Sequence, residues 1–381
     1  MPEARERASG LAPAFFVFAA QKVAFLLLLL VVIARDHACC ASTSLVRDLT
    51  KWDGEWYLGI LRNGYTAPRT GLSDLAFFPL LPLAGRTVAA VGVDPRLALV
   101  LVGLLGTALA VWGVHAVGRE VAGPRVAFFL VVLWAVAPRS VVQVMGYTEG
   151  AYTAAVAACL LLTLRGRHLA AGALAAVAAL LRPSVIALLA TLGLVLLVAV
   201  VTRLRRRTPP AWMPAPAEGV AGLALPVAAL GLVIGHVALR TGDPLGYLQV
   251  QERWGISGGG VAGTWAKVSG LGAATADAYG VRYTLLVTLS LLLYAALLAW
   301  MLWRREHPLL VVYVGLMLLL VLFSGAFHVK ARWLVPAFPA FLPPARALAA
   351  APPWVAAAVL LVLTGLSAWW NVDVLVNAYS P

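Results

Sequence analysis

The chain has 381 residues, 62% of them hydrophobic and 12% charged. A soluble domain carries about 25% charged residues, so this composition excludes an ordinary globular protein and points to a polytopic membrane protein. The net charge of +13 is not a nucleic-acid footprint. Its arginines fall in short clusters between apolar runs, where cytoplasmic loops and anionic lipid head groups account for them.

The hydropathy pattern predicts about eleven spans, several of them short. The N-terminus, with Arg5 and Arg7, reads as cytoplasmic. The first apolar run (11–34) is too long for a signal-peptide core and is followed by Arg35-Asp36-His37, so it is read as a true span. Residues 35–96 form a first outer loop. It contains Lys51-Trp52-Asp53-Gly54-Glu55-Trp56-Tyr57 and a second apolar piece at 77–83.

Further spans follow at 97–118, 126–137 and 150–164. A fifth ends at Leu181 before the outer turn Arg182-Pro183-Ser184, and a sixth returns to the Arg-rich 203–207. Spans three to five are short, so some are expected to stop partway through the membrane. A Pro-rich linker (208–216) leads to a seventh span (220–239) and a large outer loop (240–282). The eighth span returns to Arg304-Arg305, the ninth exits by Phe323, and 324–332 is a last outer loop. Pro336, Pro339, Pro343 and Pro344 require the tenth to be kinked or broken. The eleventh covers 355–370. Cys39, Cys40 and Cys159 form no disulfide framework and no metal-ligand spacing.

This topology gathers Asp53, Tyr147, Glu149, Arg182, Asp243, Gln251 and Arg332 on one side of the membrane, from separate inter-span segments. Asp53 has two readings. Thr50-Lys51-Trp52-Asp53 fits a capping box, with Trp52, Trp56 and Ile60 on one face of an interfacial helix. Alternatively, a carboxylate beside aromatics at a membrane boundary is partly desolvated and suits a general base. Glu149 is either a helix N-terminal acid with Thr148 as cap, or a second catalytic carboxylate at membrane depth.

Arg182 either snorkels to head groups or binds a phosphate or Glu149. His328, Lys330 and Arg332 are interfacial cations or a site for a lipid phosphate. Asp243, at the start of the large outer loop, is either a turn residue or a member of the substrate-binding set. Gln251 and Trp254 either pack that loop or hold a sugar by hydrogen bonds and ring stacking. Trp52, Glu55, Tyr57 and Tyr147 flank the carboxylates and complete the candidate substrate-binding set. No Walker loop, dinucleotide fingerprint, HExxH or serine-triad signature is present.

These segments resemble the PIG-V-like family, which is related to the second mannosyltransferase of glycosylphosphatidylinositol assembly and lies within the GT-C class. The matching pieces are Trp52-Asp53-Gly54-Glu55-Trp56-Tyr57 with Gly64-Tyr65, then Ala76-Phe77-Phe78-Pro79-Leu80-Leu81-Pro82. Gly146-Tyr147-Thr148-Glu149, Leu181-Arg182-Pro183, Gly242-Asp243-Pro244 with Gln249, and Arg332-Trp333-Leu334-Val335-Pro336 follow in the family's order. Gln143-Val144-Met145 departs from the more aromatic or Ser/Pro-rich run expected before that Gly-Tyr.

The resemblance implies an all-α GT-C-type bundle over residues 1–381, a single integral membrane glycosyltransferase domain. It implies transfer, with inversion, of a sugar, mannose in the family's manner, from a polyprenyl-phosphate donor to a glycolipid or glycan hydroxyl. Asp53 is carried over as the catalytic carboxylate, with Arg332, Lys330 or Arg182 for the departing phosphate. Membrane lipids are the expected surroundings, nucleic acid is not an expected partner, and neither a cofactor nor an obligatory metal is expected. The Ala/Val/Leu/Arg bias suggests a bacterium, which places the activity at the outer face of a plasma membrane. A lipid-linked-sugar flippase is the rival class. It favours internal repeats and broken helices in matching halves, and the chain shows a broken pattern mainly in its tenth span.

Overall fold

The computed structural model describes residues 10–36, 44–66, 71–256, 260–269 and 278–376. Arg5, Arg7, Cys39, Cys40, residues 257–259 and the His328 side chain lie outside the described residues. The helices, in chain order, begin with α1 (Leu11–Asp36), α2 (Leu45–Asp48), α3 (Asp53–Asn63), α4 (Leu80–Ala89), α5 (Pro95–Ala122) and α6 (Pro124–Ala135). They continue with α7 (Glu149–Leu164), α8 (His168–Ala179), α9 (Val185–Leu204), α10 (Pro216–Thr241), α11 (Gly246–Arg253) and α12 (Gly260–Ser269). The last are α13 (Ala278–Trp303), α14 (Pro308–Phe323), α15 (Lys330–Trp333), α16 (Leu342–Ala350) and α17 (Pro353–Val376). No β-strand occurs among the described residues.

Six of these helices are long and apolar enough to cross a membrane: α1, α5, α9, α10, α13 and α17. The apolar α4, α6, α7, α8 and α14 are shorter. Large apolar side chains such as Phe16, Leu232 and Leu361 stay exposed, as expected where the surroundings are lipid. The Pro-rich tenth span is broken, with a 3₁₀ turn at Phe338–Phe341 leading into α16. Residues 35–96 are more than a loop, because they contain α2, α3 and the apolar α4.

Short helices end inside the protein, and lysines satisfy their last carbonyls. Lys22, midway along α1, donates Nζ to Ala135 O at 2.5 Å and Ser140 O at 3.3 Å, just beyond α6. Lys330 does the same for α14, reaching Val321 O, Leu322 O and Ser324 O. The C-terminal carbonyls of a helix carry partial negative charge and need donors.

Close backbone approach sets where α7 begins. A Cβ at Gly106 would lie 2.6 Å from Ala151 N, and one at Gly150 would collide with Thr107 Oγ1. Small residues at such crossings let membrane helices pack tightly. The α5–α7 contact therefore fixes the start of α7, and with it Glu149. At the other end of the bundle the Arg-rich turns are held by Glu120–Arg165 at 2.7 Å and Glu306–Arg346 at 2.8 Å.

Candidate active site

The approach to Asp53 runs through an unusual turn. Trp52 occupies the N-cap position of α3 with φ 55°, a region that side chains other than glycine seldom adopt. The Tyr147 hydroxyl pins this turn from both sides. It donates to Lys51 O at 3.0 Å and accepts from Asp53 N–H at 3.2 Å. The expected capping box is not formed, because Thr50 turns its hydroxyl to Val46 O at 3.0 Å and accepts from Arg96 at 2.9 Å. Asp53, free of that back-bond, faces Arg332.

Four charged side chains from four segments then join in one chain. Arg332 Nη2 lies 2.8 Å from Asp53 Oδ2, and its Nε lies 3.2 Å from Glu149 Oε1. Arg182 Nη1 pairs with the same Glu149 oxygen and donates to Thr148 Oγ1 at 3.1 Å. Thr148 thus serves Arg182 and makes no side-chain cap on α7. Arg182 is buried in this contact, which replaces snorkelling. The Asp53 side chain keeps 19% of its surface exposed, whereas Glu149 keeps 1%. Access therefore separates the two carboxylates: Asp53 can meet a substrate, and Glu149 sits behind the guanidinium groups.

Burial by itself disfavours the Arg332 cation, but Asp53 and Glu149 outweigh it and hold its pKa above the usual range. The Arg332 guanidinium also lies over the Tyr147 ring, 5.4 Å from its centroid. Burial, then the Asp53 charge, pushes the Tyr147 hydroxyl well up, so it stays protonated as a clamp. Tyr57 is likewise pushed up, first by burial and then by Asp53, and its hydroxyl meets Thr148. Arg332 Nη1 is buried and has no hydrogen-bond partner among the described residues.

The remaining sequence candidates lie as follows. Trp52 is half-buried against the core, and Glu55 is exposed and bidentate to Arg96. Trp254 donates to Ser73 O at 3.0 Å and packs edge-on against Trp56 and Phe77, so it shapes the wall beneath α3. Asp243 accepts from Leu245 N at 2.8 Å and from Gln249 Nε2, a turn role away from the ion-pair chain. Lys330 is spent on the α14 carbonyls.

Gln251 and Arg182 line a cavity of about 260 Å³ together with Ser184, Tyr247, Ser324 and Trp333. Sequence reasoning gave no role to Ser184, Ser324 or Trp333, although each neighbours a motif residue or lies in the last outer loop. A larger apolar slot of about 450 Å³ runs between α4, α5, α7 and α8, past Leu81 and Leu181. Among the described residues no group of three or more His, Cys, Asp or Glu side chains is placed to hold a metal ion.

No family model and no curated protein matches the chain. Among solved structures, ArnT from Cupriavidus metallidurans in the apo state is similar over 90% of this chain, with a TM-score of 0.51 and 18% identity. The fold is of the GT-C type. The same ArnT bound to undecaprenyl phosphate gives a TM-score of 0.50 at 19% identity over 90% of this chain. This chain spans 62% of the ArnT chain in both cases. The apo oligosaccharyltransferase of Archaeoglobus fulgidus matches 85% of this chain and 51% of its own, with a TM-score of 0.47 and 16% identity. At the ArnT identities the likeness is one of fold, and the chemistry must be argued from the residues of this chain.

Proposed function

We propose that the protein is a membrane glycosyltransferase that moves a sugar from a polyprenyl-phosphate donor to a hydroxyl acceptor, with inversion at the anomeric carbon. The observation that carries this reading is the Asp53–Arg332–Glu149–Arg182 chain at one end of a GT-C-type bundle. It sets one accessible carboxylate beside the Arg332 guanidinium, with the Arg182 guanidinium joined through Glu149, the groups that a hydroxyl nucleophile and a phosphate leaving group require. The similarity of fold to a protein whose structure holds undecaprenyl phosphate supports a lipid-phosphate donor. The PIG-V-like motifs favour mannose, a glycolipid or glycan acceptor, and the outer face of a bacterial plasma membrane.

In this mechanism Asp53 takes the proton of the acceptor hydroxyl as its oxygen attacks the anomeric carbon. Attack comes from the face opposite the phosphate, through an oxocarbenium-like state. The new glycosidic C–O bond forms, the C–O bond to phosphate breaks, and the bonding pair leaves with polyprenyl phosphate. Arg332 and Arg182 meet the charge that develops on the departing phosphate, and Arg332 Nη1 is free to donate to it. Glu149 keeps both guanidinium groups in place.

The test is transfer by the purified chain in lipid nanodiscs, with radiolabelled polyprenyl-phosphate mannose and a panel of glycolipid, glycan and peptide acceptors. The wild type should label an acceptor and Asp53→Asn should not. Normal turnover by Asp53→Asn would remove Asp53 from the mechanism. Movement of the donor across vesicles without transfer to any acceptor would replace this reading with a flippase.

A further inference from the structure

Arg139 keeps only 1% of its surface exposed, yet its Nε, Nη1 and Nη2 have no hydrogen-bond partner among the described residues. Its φ of 62° lies in the same disfavoured left-handed region as that of Trp52. Two aromatic rings hold it. The guanidinium carbon is 4.8 Å from the Tyr283 ring centroid and 6.0 Å from that of Trp370. Ring faces attract a cation but give its N–H groups no oxygen acceptor. Strained backbone and a buried charge without a counter-ion are both costly, and both collect at sites that a ligand completes.

The neighbouring acids are already matched. Asp53 and Glu149 face Arg332 and Arg182, and Asp373 pairs with Arg282 at 3.1 Å. The Asp53–Arg332–Glu149–Arg182 chain is therefore neutral, and Arg139 adds one positive charge near its Arg332 end. Burial pulls the Arg139 pKa down and the Arg332 charge adds to this, while Tyr283 and Asp373 only partly offset it. A guanidinium stays protonated even so. The surplus charge thus lies near Arg332, whose Nη1 is also buried and without a partner among the described residues.

The proposed reaction needs that surplus. A sugar phosphodiester carries one negative charge, whereas the phosphate monoester that departs carries about −1.5 to −2 at neutral pH. Before transfer, the diester, Asp53 and Glu149 are three negative charges, and Arg332, Arg182 and Arg139 are three positive ones. During transfer the acceptor proton neutralises Asp53, the C–O bond to phosphate breaks, and the phosphate gains the charge that Asp53 loses. The sum stays near zero throughout only when Arg139 is counted. We infer that Arg139 binds the departing phosphate beside Arg332 and receives its second negative charge. The inference rests on the transferase reading above and adds to it a phosphate-binding residue and its task.

Binding to the full chain in nanodiscs at about pH 8, well above the second phosphate pKa near 6, tests it with three sugar-free probes. These are polyprenyl phosphate, a dianion; its methyl ester, a monoanion of similar size; and polyprenol, which is uncharged. The wild type should hold the dianion about tenfold more tightly than the methyl ester. Arg139→Gln should bring the two within about twofold of each other and leave polyprenol binding unchanged, whereas Arg139→Lys, which keeps the charge, should retain a preference of roughly threefold or more. Without ligand, Arg139→Gln should melt no lower than wild type, because it removes a buried charge that no carboxylate pairs. An arginine needed only to pack between the two rings would melt lower when replaced and leave the preference intact. No preference for the dianion in the wild type, or an undiminished one in folded Arg139→Gln, overturns the inference. Should Arg139→Gln not fold, Arg139→Lys decides: a retained preference supports the inference and a lost one overturns it. A preference that depends on Arg139, in a wild type that transfers to no acceptor, upholds the phosphate-binding residue and removes the transferase reading alone.

Discussion

Arg332 joins two carboxylates of unequal access, Asp53 at 2.8 Å and Glu149 at 3.2 Å. Their substitutions should therefore fail differently. Asp53→Asn removes the proton acceptor at a partly exposed position. It should lower kcat by about 10²–10⁴-fold with little change in melting temperature. Glu149→Gln instead leaves two buried guanidinium groups without their shared counter-ion. Breaking a buried pair costs about 3–5 kcal/mol, so this variant should melt well below wild type as well as lose activity. Transfer assays and thermal melts on both variants separate the roles, and a stable, inactive Glu149→Gln would place Glu149 at the chemistry.

The Tyr147 hydroxyl bridges Lys51 O and Asp53 N–H across the strained Trp52. Backbone outliers of this kind cost about 1–3 kcal/mol and persist where their surroundings enforce them. Tyr147→Phe keeps the ring beneath Arg332 and removes the bridge. It should cost about 1–2 kcal/mol of stability, as expected for lost buried hydrogen bonds. It should also lower kcat more than it raises KM, since Asp53 loses its fixed direction. Unchanged kcat with the same melting temperature would show that the turn holds itself.

The spans were legible because a long apolar run has few alternatives in a chain with so little charge. The broken tenth span was legible from its prolines. Asp53, Glu149, Arg182 and Arg332 stood out for a related reason, since isolated charges among apolar runs are costly unless they meet. Which charges meet was not legible. Lys330 and Arg332 are two residues apart, yet one ends on the carbonyls of α14 and the other on two carboxylates. The Thr50–Asp53 spacing matched a capping box, but the clamp from Tyr147, distant in sequence, imposes a different turn. Ser184 and Ser324 carry no pattern of their own, and Trp333 stood inside a matching motif without a role, because only the tertiary fold brings the three to one cavity.

Gly106 and Gly150 place the α5 and α7 backbones in direct contact behind Glu149. A methyl group at Gly150 would overlap Thr107 Oγ1 and lie 2.8 Å from Thr107 N. Backbone cannot retreat as a side chain does, so Gly150→Ala should destabilise by about 1–3 kcal/mol, in the range for overpacking. Because it shifts the first turn of α7, it should also reduce transfer. Gly231→Ala, with nothing within 4 Å of the added Cβ, is the matched control. Melting of the two variants in the same detergent makes the comparison.

Charge stabilisation by Arg332 and Arg182 should let transfer proceed without a divalent cation. Activity in excess chelator should therefore stay within about twofold of the untreated enzyme, whereas Arg332→Lys should lose about 10²-fold or more, because an ammonium cannot span Asp53 and Glu149 together. Loss of activity in chelator, restored by one added metal, would reassign that part of the mechanism.

At the opposite end of the bundle, His307 caps α14: its Nδ1 accepts from Leu309 N at 3.3 Å, with Trp212 edge-on to the ring at 4.9 Å. An imidazole can accept there only when it is neutral, and burial lowers its pKa below 6.5. The sign of the pH effect follows. Above pH 6.5 the ring is neutral folded and unfolded, and the cap contributes fully. As pH falls below 6.5, the unfolded chain takes up the proton first, so the folded state loses stability until its own lower pKa is passed. Asn at this position keeps a capping oxygen and does not titrate. Melting temperature measured from pH 7 down to pH 5 should therefore fall more steeply for wild type than for His307→Asn. Parallel curves would show that protonation at His307 is not coupled to folding.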